Sequence, residues 1–248
     1  MMAPAIAIGS LSKQFGGLLA VDNVSLTVAT GERRVLIGPN GAGKTTLFHC
    51  ITGTLSASAG RVSLFGLDVT ALAESRRTVL GMGRTFQISN VFVDLSLAEN
   101  LVLALIGGER RKWIMHRPVR AYADLRRRSL EGLEHVGLRP RADESVKHLS
   151  YGERRQLELA LALNSNPKVL FLDEPCAGLS PNERQRISKL IGALPRDITV
   201  VMIEHDMDVA LALADRVTVL HRGKIILEGS PAEVQANPQV RDVYFGNV

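Results

Sequence analysis

The stretch Val35-Leu36-Ile37-Gly38-Pro39-Asn40-Gly41-Ala42-Gly43-Lys44-Thr45-Thr46 joins a short apolar run to a helical pattern that continues to Thr52. Between the two stands a complete G-x-x-x-x-G-K-[ST] motif, Gly38 to Thr45. Its glycines let the backbone curl, so that successive N–H groups and the helix N-terminus face a polyphosphate. In such a loop Lys44 reaches the β and γ phosphates and the Thr45 hydroxyl ligates Mg²⁺. A glycine-rich strand-to-helix turn without a ligand is the plainer alternative. The strand before the motif and the helix after it favour the phosphate cradle.

Outward from this loop, Val169 to Leu172 and Ile198 to Ile203 are further continuous apolar runs. Runs of this kind read as strands buried on both faces of a parallel sheet, which makes the core α/β. Ala5 to Ile8 and Val24 to Val28 alternate instead, and Val217 to Leu227 turns at Arg222-Gly223, so antiparallel strands flank the core. From Asn90 to Asn164 the period becomes helical, with Leu95, Leu97, Leu101 and Leu103, then Leu130, Leu133 and Val136. That predicts one domain over 1–248, with a nucleotide-binding core of 1–86 and 165–248 and a helical insert over 87–164. Because the Val169 run ends at Asp173-Glu174, the carboxyl ends of parallel strands would bring both acids to the phosphate loop. Asp173 would hold Mg²⁺, and Glu174 would polarise the water that attacks the γ phosphate.

The 248 residues are 46% hydrophobic and 22% charged, which excludes disordered, collagenous and coiled-coil chains. The longest stretch free of Asp, Glu, Lys and Arg is Thr45 to Gly60, 16 residues rich in Thr, Ser and Gly, too short and too polar to span a bilayer. No basic residue precedes the brief Ala5 to Ile8 run, so no signal peptide is indicated and cytoplasmic residence is expected. Cys50 and Cys176 have neither CxxC nor His partners and read as small buried hydrophobes. The net charge of +5 is concentrated. Glu109 to Arg128 alone carries +6, from Arg110, Arg111, Lys112, Arg117, Arg120, Arg126, Arg127 and Arg128 against two acids, beside the only tryptophan, Trp113. A nucleic-acid binder spreads its basic residues over a whole face, so no nucleic-acid partner is expected.

Taken together, these residues resemble the ABC transporter ATPase family over essentially the whole chain. Leu149-Ser150-Tyr151-Gly152-Glu153 is similar to the family signature, Gln87 in Gly83 to Gln87 to the Q-loop glutamine, and His205 in Ile203 to Asp206 to the switch histidine. The resemblance implies a P-loop fold with a mostly parallel core sheet, an antiparallel β-subdomain and an inserted helical subdomain. It also implies ATP and Mg²⁺ as cofactors. Phe15 would stack on adenine, Gly38, Pro39, Asn40, Gly41, Ala42, Gly43, Lys44, Thr45 and Thr46 would bind the phosphates, and Gln87 would sense the γ phosphate and help hold the metal with Thr45 and Asp173. Ser150 and Gly152 would contact the γ phosphate held by a second copy. Plainer readings stand beside these: Phe15 as a half-buried strand aromatic, His205 on the surface, Gln87 packed in a loop, Ser150 and Glu153 as a capping box. The capping box does not account for Gly152, which weakens a first turn but lets a ligand approach backbone N–H groups.

Within the family, Phe15 to Val21, Gly83 to Gln87, Tyr151, Ile203 to Met207 and the tail Pro231 to Gly246 are most similar to ATP-binding subunits of branched-chain amino acid importers. That implies a second ATPase subunit, identical or paralogous, two transmembrane transport subunits, and a peripheral position on the cytoplasmic face of the cell membrane. Urea or amide import, lipopolysaccharide export and a soluble nucleic-acid-associated ATPase are the alternatives. At Ser180 the chain departs from the Asp that the general family carries.

Overall fold

The computed structural model describes residues 3–85, 91–108 and 123–245. They form two compact units, one of Met1–Met82, Lys168–Glu174 and Pro195–Val248, the other of Gly83–Pro167 and Pro175–Leu194.

The first unit opens with β1 (Ile6–Phe15) and β2 (Leu18–Val28), then β3 (Arg33–Ile37), α1 (Lys44–Thr52), β4 (Ala59–Leu64), β5 (Leu67–Asp68) and α2 (Glu74–Val79). At β6 (Met82–Arg84) the chain leaves for the second unit. One antiparallel sheet has the order β2-β1-β4-β5. Its first strand runs well past Ile8, because register shifts after Ile8, Leu11 and Lys13 break the alternation on which the sequence pattern depends.

The chain re-enters the first unit at β7 (Val169–Asp173). After α6 (Pro181–Gly192) in the second unit it continues with β8 (Thr199–Ile203), α7 (Met207–Leu213), β9 (Arg216–His221), β10 (Lys224–Gly229), α8 (Pro231–Ala236) and α9 (Pro238–Phe245). β3 lies between β8 and β9, parallel to both, and β7 lies parallel outside β8. Every residue of β3, β7 and β8 is buried, the apolar runs together with the charged Arg33 and Arg34 that open β3 and the Asp173 that ends β7. β9 returns as antiparallel β10 through Arg222 and Gly223, both at positive φ, the conformation a two-residue hairpin turn needs. The core between sheet and helix includes Phe48 of α1 against Phe171 of β7, edge to face at 5.3 Å.

A buried arginine fixes the far end of α1. Arg77, 2% exposed, donates to the carbonyls of Cys50 (3.0 Å), Ile51 (2.6 Å), Leu72 (2.8 Å) and Thr70 (3.2 Å). It closes the last turn of the helix whose first turn carries the phosphate loop. Arg77→Met is expected to leave these carbonyls short of a donor and to cost about 3–5 kcal/mol, roughly 10 °C in melting temperature. Thermal denaturation followed by circular dichroism reads this directly, and a shift below about 1 °C would remove the capping role.

The second unit contains α3 (Leu97–Gly108), α4 (Ala123–His135), α5 (Tyr151–Leu163) and α6. Leu125 of α4 packs on Val102 and Leu105 of α3. Gln156 of α5 donates to the Val136 carbonyl (2.6 Å), and Asn164 donates to the Leu101 carbonyl (2.9 Å). Of the basic segment, Arg126 pairs with Asp143 at 2.8 Å and Arg127 with Glu131 at 3.9 Å, both exposed, whereas Arg110 to Arg120 and Trp113 lie outside the described residues. Among the described residues no helix is long and apolar enough to cross a membrane. Both cysteines are buried, and neither forms a disulfide.

Candidate functional site

In the first unit the phosphate loop leaves β3 and enters α1 with Gly38, Gly41 and Gly43 all at positive φ. Two of these positions admit no side chain. A Cβ on Gly38 would meet the Leu220 carbonyl oxygen at 2.2 Å, and one on Gly43 the Ala20 carbonyl oxygen at 2.4 Å. The β9–β10 turn holds the loop from its other side, since the Gly223 N–H donates to the Ala42 carbonyl (2.9 Å) while the Gly223 carbonyl accepts from the Asp22 N–H (2.9 Å). The loop is thereby clamped between β2 and the hairpin.

Lys44 opens α1, is buried, and donates from Nζ to the carbonyls of Gly38 (2.6 Å) and Pro39 (3.1 Å). Burial pulls its ammonium below the ordinary lysine value, and the Glu174 carboxylate opposes that shift. Asp173 ends β7, fully buried, with His49 Nε2 of α1 4.0 Å from its Oδ2. Glu174 follows at φ 49°, a conformation uncommon for a residue with a side chain. Its N–H donates to the Ile203 carbonyl (3.1 Å), and its Oε1 lies 2.7 Å from His205 Nε2. Asp206 caps α7 by accepting from the N–H groups of Asp208 and Val209, which fixes the turn that carries His205.

Four elements predicted from sequence therefore meet: the loop after β3, the acids after β7, the histidine after β8 and the start of α1. Parallel register brings this about, because Asp173 and Leu36 both pair with Ile203. Phe15 ends β1 in the same unit, 45% exposed, with Lys13 Nζ 4.9 Å from its ring centroid. At 45% exposure Phe15 is a half-buried strand-end aromatic whose ring still has a face available to a base. Gln87 lies outside the described residues.

The donor set suits a magnesium nucleotide. Thr45 and Asp173 offer oxygen ligands, and among the described residues no three His, Cys, Asp or Glu side chains could hold a metal by themselves. Mg²⁺ typically takes one or two protein oxygens and completes its shell with phosphate and water.

Ser150 and Gly152 belong to the second unit. Ser150 caps α5 in a reciprocal box with Glu153, and Arg141 bonds Glu153 in turn and holds its carboxyl below the usual range. Tyr151 donates to the Ala177 carbonyl at 3.3 Å. Gly152 is buried, and its N–H donates to Glu183 Oε1 at 3.2 Å. The absence of a side chain at 152 thus makes room for Glu183, a group that sequence reasoning did not single out. The signal for it was Ser180-Pro181-Asn182-Glu183, a second capping box. His49 was also missed, although it stands four residues after Thr45 on the same helix face.

The ABC transporter family matches residues 21–177, and the branched-chain amino acid ATP-binding cassette transporter family matches residues 224–248. The chain is 36% identical to the high-affinity branched-chain amino acid transport ATP-binding protein LivG of Salmonella typhimurium, over 99% of each chain. A solved ATP-binding cassette of an ABC transporter in its ADP conformation superposes with a TM-score of 0.86 at 32% identity, covering all of both chains. A dimeric cassette in a post-hydrolysis state bound to ADP and Pi superposes with a TM-score of 0.77 at 26% identity, over 91% of this chain and 98% of that one.

Proposed function

This chain belongs to the ABC transporter family of ATP-hydrolysing subunits, and from that premise we propose that it drives an importer of branched-chain amino acids from the cytoplasmic face of the cell membrane. It would work with a second ATPase subunit, identical or paralogous, against two transmembrane subunits. The observation that carries the hydrolytic reading is the 2.7 Å pairing of Glu174 with His205 at the strand ends beside the phosphate loop. A carboxylate held by an imidazole is fixed in orientation toward the water it deprotonates. Lys44 and the loop N–H groups hold the β and γ phosphates, Phe15 faces the base, and Gln87 senses the γ phosphate. Thr45, Asp173 and Gln87 would hold Mg²⁺, which when bound supplies positive charge to the phosphates. Ser150 and the start of α5 would complete the site of the other copy, an arrangement supported by the similarity to a dimeric cassette. The tail match over residues 224–248 favours amino acid cargo over lipopolysaccharide export or a nucleic-acid role.

The test is reconstitution in vesicles of this chain with the membrane subunits that copurify with it. ATP-dependent uptake of labelled leucine, isoleucine or valine is expected, and its loss with Lys44→Ala. Uptake of urea or amides alone would reassign the cargo. Uptake independent of ATP would overturn the coupling role.

A further inference from the structure

One carboxylate closes the N-termini of two helices. Glu183 Oε1 accepts from the Gly152 N–H of α5 at 3.2 Å, while its Oε2 accepts from the Ser180 N–H (3.0 Å) and the Ser180 hydroxyl (2.6 Å) at the start of α6. The contact is close, since a Cβ on Gly152 would lie 2.3 Å from Oε1. The bonds from Ser180 hold the Glu183 carboxyl below the usual range, so it is an anion at neutral pH. In the composite site proposed above, the Gly152 amide is the donor that meets the γ phosphate carried by the other copy. Two anions cannot share that donor at hydrogen-bond distance without repulsion.

We propose that Glu183 is a positioning residue of the composite site, which holds the Gly152 amide in the single subunit and yields it to the γ phosphate when two copies close. Its charge thereby raises the ATP concentration needed for closure. Release is cheap, because only one of its three bonds is given up and both bonds from Ser180 can remain. Ser180 thus has a part that an Asp at that position would not play in full, since an acid there would keep the backbone N–H bond but put a repelling carboxylate in place of the hydroxyl donor. The proposal rests on the composite-site reading.

The test uses the full chain in a Glu174→Gln background, where slow hydrolysis lets ATP-bound dimer accumulate. Dimer is measured by light scattering against ATP concentration. Glu183→Gln keeps an acceptor for Gly152 and removes the charge, and is expected to lower half-saturating ATP about fivefold at low salt, the factor one unit charge contributes at contact distance in water. The difference should shrink at about 1 M salt, where the screening length is ~3 Å. Glu183→Ala should shift in the same direction. If Glu183 only braced α5, Gln would leave half-saturation unchanged and Ala would raise it, and either result overturns the proposal. Should the Ala variant fail to fold, the Gln variant decides alone. A Glu174→Gln parent that forms no dimer in ATP overturns the composite reading and this proposal together. A parent that dimerises while the Gln variant matches it overturns this proposal only.

Discussion

Glu174→Gln is expected to bind ATP, to lose hydrolysis by about 10²-fold or more, and to accumulate as an ATP-bound dimer. The magnitude is that of a positioned general base removed while everything around it stays. An amide can keep a hydrogen bond to His205 Nε2, now 2.7 Å from the carboxylate, and Asp173 and Lys44 are untouched. Binding and chemistry therefore separate. Phosphate release and nucleotide titration on the same sample check both halves, and turnover at the wild-type rate would take Glu174 out of the base role.

Lys44→Ala should act on the other half. Its ammonium is the positive charge at the mouth of the loop, and charge-assisted bonds of this kind support a fall in ATP affinity on the order of 10²-fold. The fold should survive. Burial lowers the Lys44 pKa, so the charged ammonium is costlier in the folded chain than in the unfolded one, and deleting it withdraws no net electrostatic stabilisation. Equilibrium binding of a fluorescent ATP analogue, with a melting curve alongside, measures the two effects separately. Unchanged affinity would mean that the backbone N–H groups bind the phosphates without help from Lys44.

The placement of the first unit's candidate site residues was legible in the sequence because each of them follows or ends an apolar run. Ile37, Leu172 and Ile203 announce buried parallel strands, and Gly38, Asp173 and His205 follow at their carboxyl ends. What stayed hidden has physical reasons. β5 is two residues long, β4 alternates between buried and half-buried only over Val62 to Leu64, and α2 is six residues long, fewer than two helical turns, so none repeats its pattern far enough to stand out. Arg77 reads as a surface charge, and its burial is explained by carbonyls that sequence spacing does not bring together, those of Cys50 and Ile51 at a distant helix end with those of Thr70 and Leu72. α6 lies within 165–248, the span that the sequence pattern gives to the nucleotide-binding core, yet its residues cluster in the second unit with α5. Gly152 suggested an approach route for a ligand, and the same missing Cβ turned out to admit Glu183, a distinction that spacing along the chain cannot express.

The neighbours of β3 have a consequence for synthesis. Both of its edges are completed by strands that lie more than 160 residues further along, Thr199–Ile203 and Arg216–His221. At translation speeds of about 5–20 residues per second, the phosphate-loop strand waits roughly ten to forty seconds on the ribosome with its backbone unpaired. Over that interval the helical segments between can pack among themselves, while the strand depends on whatever shields it in the nascent chain. A stop codon introduced between Thr46 and Thr199 would therefore leave a product with every phosphate-loop residue present and neither of the strands that pair with β3.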